Sequence, residues 1–159
     1  NTIEAVQRHF LSRIAGMESL HHWDRLKQLS LYSQERRRER YMVIFLWKIS
    51  QGLVHGYNVT FADSGRRGIM AIPNAIIASP SAIRRAREAS LGVKGSRLFN
   101  LIPDPIRNMK GCTVDQFKAS LDTFLATVPD RPTMEGTSRA AETNSLIHQL
   151  AMRVDRLQL

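Results

Sequence analysis

The most chemically distinctive stretch of the chain is a group of arginines within five positions, Arg36, Arg37, Arg38 and Arg40. A guanidinium keeps its charge at any physiological pH and holds its N–H donors in a planar fork, so it can bind two phosphate oxygens at once. Glu35 and Glu39 lie within one helical turn and can offset part of the charge. Two interpretations follow. In the first, the beginning of the helix is solvated and its glutamates neutralise its arginines; in the second, which we favour, the arginines bind nucleic-acid phosphate.

Two further basic clusters follow along the chain. One contains Arg84, Arg85 and Arg87, and the other contains Arg66 and Arg67. If the fold brings all three clusters to one side, they line a groove that follows a nucleic-acid backbone. We therefore predict that the arginines of the three clusters bind the backbone of RNA or DNA, with little readout of bases.

The net charge supports the same interpretation. The 159 residues include 23 Lys and Arg against 14 Asp and Glu, a formal charge of +9. Residues 1–110 hold 18 basic and 8 acidic residues, whereas residues 111–159 hold 5 and 6. Positive charge concentrated in one part of a chain is typical of a protein that binds a polyanion. The alternative is a globular domain that is basic without such a partner.

No stretch of the sequence carries the pattern of a catalytic, metal or cofactor site. The segment 92–96, GVKGS, superficially resembles a phosphate-binding loop but lacks its full spacing and a convincing preceding strand. His21 and His22 are adjacent and point to different faces of a helix, so they cannot hold one ion together. The carboxylates are not clustered as two-metal chemistry requires. We predict no catalytic residue, no metal, no cofactor and no enzymatic activity for this chain alone.

Cysteine content and hydropathy indicate the cellular setting. Cys112 is the single cysteine, which excludes an intrachain disulfide and suits a reducing compartment. The longest apolar run, from Met42 to Trp47, is far shorter than the ~20 residues that span a bilayer, and the N-terminus lacks a secretory signal. We expect an intracellular protein, in the nucleus or cytoplasm, with no membrane partner. Because the sequence begins without methionine, we expect it to be a piece of a longer polypeptide.

The clearest predicted element is a helix that begins after Ser33, a good N-cap, and stops at Gly52. Its first half is almost wholly charged, whereas Tyr41 to Ile49 is apolar nearly all round and should be enclosed by other elements. A second helix, capped by Thr113, carries apolar residues at helical spacing. We expect these two segments to form the core, with Trp47 packed inside it.

The ends of the chain and its middle give weaker signals. Ile3, Val6, Phe10 and Ile14 recur at helical spacing and predict an amphipathic first helix that ends near Gly16. Alternating apolar residues from Tyr57 onward, followed by turn residues, predict a β-hairpin near residues 57–72.

The fold class predicted from these elements is mainly α, a small helical domain with one β-hairpin and a C-terminal amphipathic helix. We place the basic helical domain at residues 1–128, a linker at 129–141 and the C-terminal helix at 142–159. The last helix carries a narrow apolar stripe: Leu146, Leu150, Val154 and Leu157. About two heptads are too few for a stable coiled coil, so the stripe docks on the body, binds a partner or self-associates.

The order of several short motifs resembles a known family. They are IEAVQR at 3–8, WDRL at 23–26, LYSQERRRERY at 31–41, WKI at 47–49, GRRG at 65–68, REASL at 87–91, GSRLFNLIP at 95–103, IRN at 106–108 and FK at 117–118. Together they resemble the region after the thumb, at the C-terminal end, of reverse transcriptases of non-long-terminal-repeat retrotransposons. The resemblance covers nearly the whole chain, to about Leu150.

This resemblance implies a supporting role. In that family the palm-domain aspartates and two metal ions carry the RNA-directed DNA polymerase activity, in an earlier part of the polyprotein. The chain is then a nucleic-acid-binding accessory segment that holds template RNA or target DNA beside the polymerase domain. Two alternatives stay open: a protein–protein interaction or self-association module that uses the C-terminal helix, and a non-functional fragment of such an element.

Overall fold

The computed structural model describes residues 2–56, 86–132 and 143–157, with side chains as far as Ala151. The α-helices in these ranges include α1 (Thr2–Leu11), α2 (His22–Gln28), α3 (Gln34–Ser50), α4 (Ser96–Leu101), α5 (Asp104–Arg107), α6 (Val114–Ala126) and α7 (Leu146–Leu157). A π-helical turn, Leu91–Gly95, leads directly into α4.

The predicted fold class is wrong in its β component. Among the residues that it describes, the structure is mainly helical, with 64% of them in helices and none in a strand. The span predicted for the hairpin, residues 57–72, lies outside the described residues. Two physical points weaken that prediction: a short alternating run is an ambiguous signal, and a lone two-stranded hairpin is barely stable in water. The fold class is therefore mainly α.

The chain divides into two compact units. Unit one combines residues from both ends of the chain, Asn1–Arg38 and Pro129–Leu159, and unit two consists of Glu39–Val128. The boundary falls inside α3, so the first five residues of that helix belong to unit one and the rest to unit two. The predicted domain limits at residues 1–128, 129–141 and 142–159 stay a prediction, and most of the predicted linker, residues 133–141, lies outside the described ranges.

Ser33 caps α3, as predicted. Its Oγ accepts a hydrogen bond from the backbone N–H of Arg36 at 3.1 Å and donates one to Oδ1 of Asp130 at 2.8 Å. Oδ2 of Asp130 accepts the backbone N–H of Ser33, also at 2.8 Å. An anionic carboxylate at a helix N-terminus stabilises the unpaired N–H groups and the positive end of the helix dipole. At its other end α3 is followed by Gly52, whose φ of +71° is the left-handed conformation of a helix stop.

Unit two has its core where the sequence predicts it. Trp47 is completely buried and stacks on Phe117 of α6, with ring centroids 4.4 Å apart and planes 8° from parallel. The indole N–H of Trp47 donates to the carbonyl of Met109 at 3.0 Å, so the one polar atom of the ring is satisfied. Thr113 caps α6 through a capping box with Gln116, in which each side chain binds the other's backbone N–H. The predicted pairing of the two segments is thus confirmed.

Helix α1 of unit one is shorter than predicted, and its apolar side faces solvent. It ends at Leu11 rather than near Gly16. Glu4 attaches it to the rest of unit one by accepting hydrogen bonds from the backbone N–H of Gln34 and from His22, both at 3.0 Å. The side of α1 that carries Ile3, Val6 and Phe10 is open, and these side chains are 52%, 66% and 69% exposed. They form an apolar surface that no described residue covers.

Candidate nucleic-acid interface

One side of helix α3 is partly or fully exposed to solvent. Residues of an α-helix follow one another at about 100° around its axis, so positions three, four, seven and eleven apart share a side. On this basis Arg37, Tyr41 and Lys48 fall within about 40° of one another, and Arg38 lies some 60° from Tyr41. We call Arg37, Arg38, Tyr41 and Lys48 the basic face of α3. Phe45 lies on the same side between Tyr41 and Lys48 and is half-buried.

The first predicted arginine, Arg36, points away from this face. Its side chain is completely buried, and Nη2 donates to the carbonyl of Pro129 at 2.7 Å. Nε lies 4.0 Å from Oδ1 of Asp130. Asn144 completes the cluster because its amide donates to both Ser33 Oγ and Asp130 Oδ1 at 2.7 Å. Arg36 therefore holds unit one together, and in this conformation it is not accessible to a phosphate.

Arg40 is also engaged inside the protein. Its guanidinium makes two hydrogen bonds to the carboxylate of Asp122 in α6, at 2.6 and 2.7 Å. The side chain is only 16% exposed, and Cζ lies over the ring of Tyr41 at 5.8 Å from the centroid. A two-pronged Arg–carboxylate pair is charge-balanced and geometrically fixed. Arg40 thus supplies little charge for a ligand, but it fixes the surroundings of Tyr41.

Arg37 and Arg38 are the two arginines of this cluster that face solvent. Arg38 is exposed and Arg37 is half-buried, and neither side chain forms a hydrogen bond or ion pair with any residue that the structure describes. They are the fourth and fifth residues of α3, close to the helix N-terminus, where the helix dipole disfavours a positive charge. An external anion is one way to relieve this cost.

Tyr41 and Lys48 extend the surface along the helix. Tyr41 is 63% exposed, which contradicts the expectation that the whole segment from Tyr41 to Ile49 is enclosed. Lys48 is half-buried, about 16 Å along the helix axis from Arg37. Its charge is felt by Asp115, whose pKa is held below its ordinary value mainly by a hydrogen bond from Lys118 and the charge of that residue, with Lys48 adding a smaller effect.

Most of the other predicted arginines lie outside the described residues. These are Arg66, Arg67, Arg84 and Arg85, whereas Arg87, which is half-buried, lies just after that gap. The convergence of the three clusters on one side stays a prediction. What the structure brings together on one helix face is part of the first cluster with Tyr41 and Lys48.

Sequence reasoning missed the position of Lys48 on the same side of α3 as Tyr41 and the internal contacts of Arg36 and Arg40. Lys48 could have been found, because its spacing of seven residues from Tyr41 places the two on one side of a helix. The burial of Arg36 gives no local signal, since its partners come from residues 129–130, more than 90 positions away. The pair of Arg40 with Asp122 spans 82 positions and likewise gives no signal in the local sequence.

The segment 92–96 has a structural explanation. It forms most of the π-helical turn before α4, in which the side chain of Ser90 caps the first turn. Lys94 is paired with the fully buried Glu39 of α3 at 3.1 Å, so its charge is used inside unit two. Within the described ranges, no group of three His, Cys, Asp or Glu side chains is arranged to hold a metal ion.

Comparison with protein-family models, with curated proteins and with solved structures finds no match to this chain. In the part of the chain that the structure describes, no helix is long and apolar enough to cross a membrane.

Proposed function

We propose that the chain binds nucleic acid through the basic face of α3. The observation that carries the proposal is the pair Arg37 and Arg38, whose side chains face solvent without a described partner, one turn before an exposed tyrosine. Phosphate is the anion that best suits two adjacent guanidiniums. The net charge of +9 supports a polyanionic partner.

The wider role that we propose rests on the resemblance of the sequence motifs. It is that of an accessory segment of a retrotransposon reverse transcriptase, acting inside the cell, in the nucleus or cytoplasm, next to the polymerase domain of the parent polyprotein. Such a segment holds the backbone of the template or target and leaves the chemistry to the polymerase. Backbone contacts of this kind give affinity without base specificity.

The first test replaces Arg37 and Arg38 together by alanine. Each phosphate that a cation neutralises releases bound counterions, and this release makes the affinity depend on salt. The slope of log affinity against log salt therefore falls by about 0.7 for each neutralised phosphate on a single strand, and by about 0.9 on a duplex. We expect the double variant to bind all sequences more weakly and to reduce the slope by about 1.4 on a single strand. Filter binding at several salt concentrations measures both quantities.

The matched control is Arg8→Ala with Arg97→Ala. These arginines are exposed, on α1 and α4, and their removal takes away the same formal charge. The control should change the slope less than the Arg37 and Arg38 variant does. Equal effects of the two double variants would show that only net charge matters, and salt-independent binding by the wild type would overturn the proposal.

Contact with another protein is the second candidate, and the exposed apolar surface of α1 favours it. The C-terminal stripe favours it less, because Leu146 is completely buried and Leu150 is half-buried. The structure does not describe the side chains of Val154 and Leu157. Wild-type affinity for nucleic acid in the Arg37 and Arg38 variant would shift the balance toward this candidate.

A further inference from the structure

The ring of Tyr41 is restrained by its neighbours and exposed to solvent, so a flat ligand can stack on it. An exposed aromatic ring on a helix surface ordinarily samples several rotamers, and a ligand that stacks on it has to restrict them. Here the Arg40 guanidinium lies over the ring, 5.8 Å from its centroid. That guanidinium is itself fixed by two hydrogen bonds to Asp122. The tyrosine is thus backed by a rigid cation while 63% of it remains open to solvent.

The cations beside the Tyr41 ring suit the phosphate backbone of a nucleic-acid strand. Arg37 and Arg38 lie one turn before Tyr41 on the same side of α3, and Lys48 lies two turns after it. Cations placed around an exposed aromatic ring are the arrangement by which proteins bind single strands: the cations meet phosphates and the ring stacks on a base. The distance of about 16 Å between the ends of the face is long enough for several nucleotides.

We propose that the basic face of α3 is a site for single-stranded nucleic acid, in which a base stacks on the open side of Tyr41. The inference rests on the proposed function and names the form of nucleic acid that this site takes. A duplex is disfavoured at Tyr41 because its bases are already stacked on one another, and unstacking one of them costs a few kcal/mol per step. The cations contact both forms, whereas the ring distinguishes between them.

The experiment compares Tyr41→Ala and Tyr41→Phe with the wild type, using the full chain. Fluorescence anisotropy is recorded with a labelled single-stranded DNA of 20 thymidylates and with a labelled DNA duplex of 20 base pairs. Removal of the ring should weaken single-strand binding roughly ten-fold or more, and leave duplex binding within about two-fold. The phenylalanine variant should bind both close to the wild type, because stacking needs the ring and not the hydroxyl.

Two controls separate this inference from the proposed function. Leu53→Ala removes another exposed apolar side chain of unit two, 54% exposed, and should leave both affinities unchanged. The Arg37 and Arg38 double alanine variant should bind both the single strand and the duplex more weakly than the wild type does. Thermal unfolding followed by circular dichroism checks that each variant keeps its fold, which we expect since Tyr41 and Leu53 are exposed.

Three results would overturn the inference. Tyr41→Ala could lower the affinities for the single strand and the duplex equally, or could leave both affinities unchanged. Tyr41→Phe could also lower the affinity for the single strand as much as Tyr41→Ala does. In each case weaker binding by the arginine variant would still support the proposed function. If neither the wild type nor any variant binds either probe, the proposed function fails and the inference fails with it.

Discussion

Arg36 and Arg37 are neighbours with the same side chain, yet Arg36 is completely buried and Arg37 is partly exposed to solvent. A step of about 100° around the helix axis separates them. It places Arg36 against Pro129 and Asp130, where it is completely buried, and leaves Arg37 on the solvent side. Neighbouring arginines in a sequence can therefore have different roles. The position of each one around the helix axis determines whether a ligand can reach its charge.

The buried arginine gives a prediction at the residue scale. Arg36→Ala leaves the carbonyl of Pro129 and the carboxylate of Asp130 without this buried cation. Breaking a buried charged pair by removing one member typically costs about 3–5 kcal/mol, and we expect the free energy of unfolding to fall by roughly 3 kcal/mol. Urea denaturation followed by circular dichroism measures it.

The comparison for this prediction is Arg37→Ala. Because the guanidinium of Arg37 has no described partner, its replacement should change the free energy of unfolding by about 0.5 kcal/mol or less. If the two variants are equally stable, Arg36 does not hold unit one together. Arg36→Ala should weaken nucleic-acid binding only to the extent that it unfolds the protein. Under conditions in which the variant is fully folded, its affinity should equal that of the wild type.

Among the elements, the helix ends marked by a capping residue or a stop glycine were the most predictable features, whereas the end of α1 was predicted near Gly16 and lies at Leu11. Ser33, Gly52 and Thr113 act on groups within about one turn of themselves, so their types alone are informative. The burial of an apolar stripe is less predictable. The spacing of Ile3, Val6 and Phe10 identifies a stripe correctly but does not say what covers it, since that depends on the partner elements.

A prediction at the scale of an element concerns the start of α6. Thr113→Ala removes the hydroxyl that accepts the N–H of Gln116, and with it one half of the capping box. Loss of such a cap costs about 1 kcal/mol. We expect the midpoint of urea denaturation to fall accordingly, with no change in the slope of the transition.

Thr123→Ala is the matched control for the cap. This threonine is exposed in the interior of the same helix, where its hydroxyl donates to the carbonyl of Ala119. Alanine is the better helix former at an interior position, so the control should leave stability unchanged or raise it by a few tenths of a kcal/mol. Equal losses in both variants would mean that Thr113 acts through something other than the cap.

At the scale of the whole molecule, what the sequence could not predict is contact between distant segments. The core of Trp47 with Phe117 was predictable, because Trp47 lies on a strongly apolar helical segment and Phe117 on the apolar side of an amphipathic helix. Unit one was not, because its polar centre joins Ser33 to Asp130 and Asn144, across 97 and 111 positions. The candidate site was predicted only in part: Arg37 and Arg38 from composition, but not the exposure of Tyr41, which depends on how α3 packs.

Deletion of residues 129–159 tests the composition of unit one. The deletion removes Asp130, Asn144 and the buried Leu146, while the whole of unit two remains. We expect amide hydrogen exchange in peptides from residues 2–38 to approach that of an unfolded chain, and exchange in residues 39–56 and 86–128 to stay slow. Unchanged protection in residues 22–33 would show that the C-terminal residues are dispensable for unit one.

The composition of unit one from both ends of the chain also has a consequence for synthesis on the ribosome. Asn144 is made 111 positions after Ser33, with which it shares a hydrogen bond. At typical elongation rates this separation corresponds to roughly 5–20 s of translation. During that interval Ser33 and Arg36 lack their partners Pro129, Asp130 and Asn144, so the polar centre of unit one can form only after residue 144 has been synthesised.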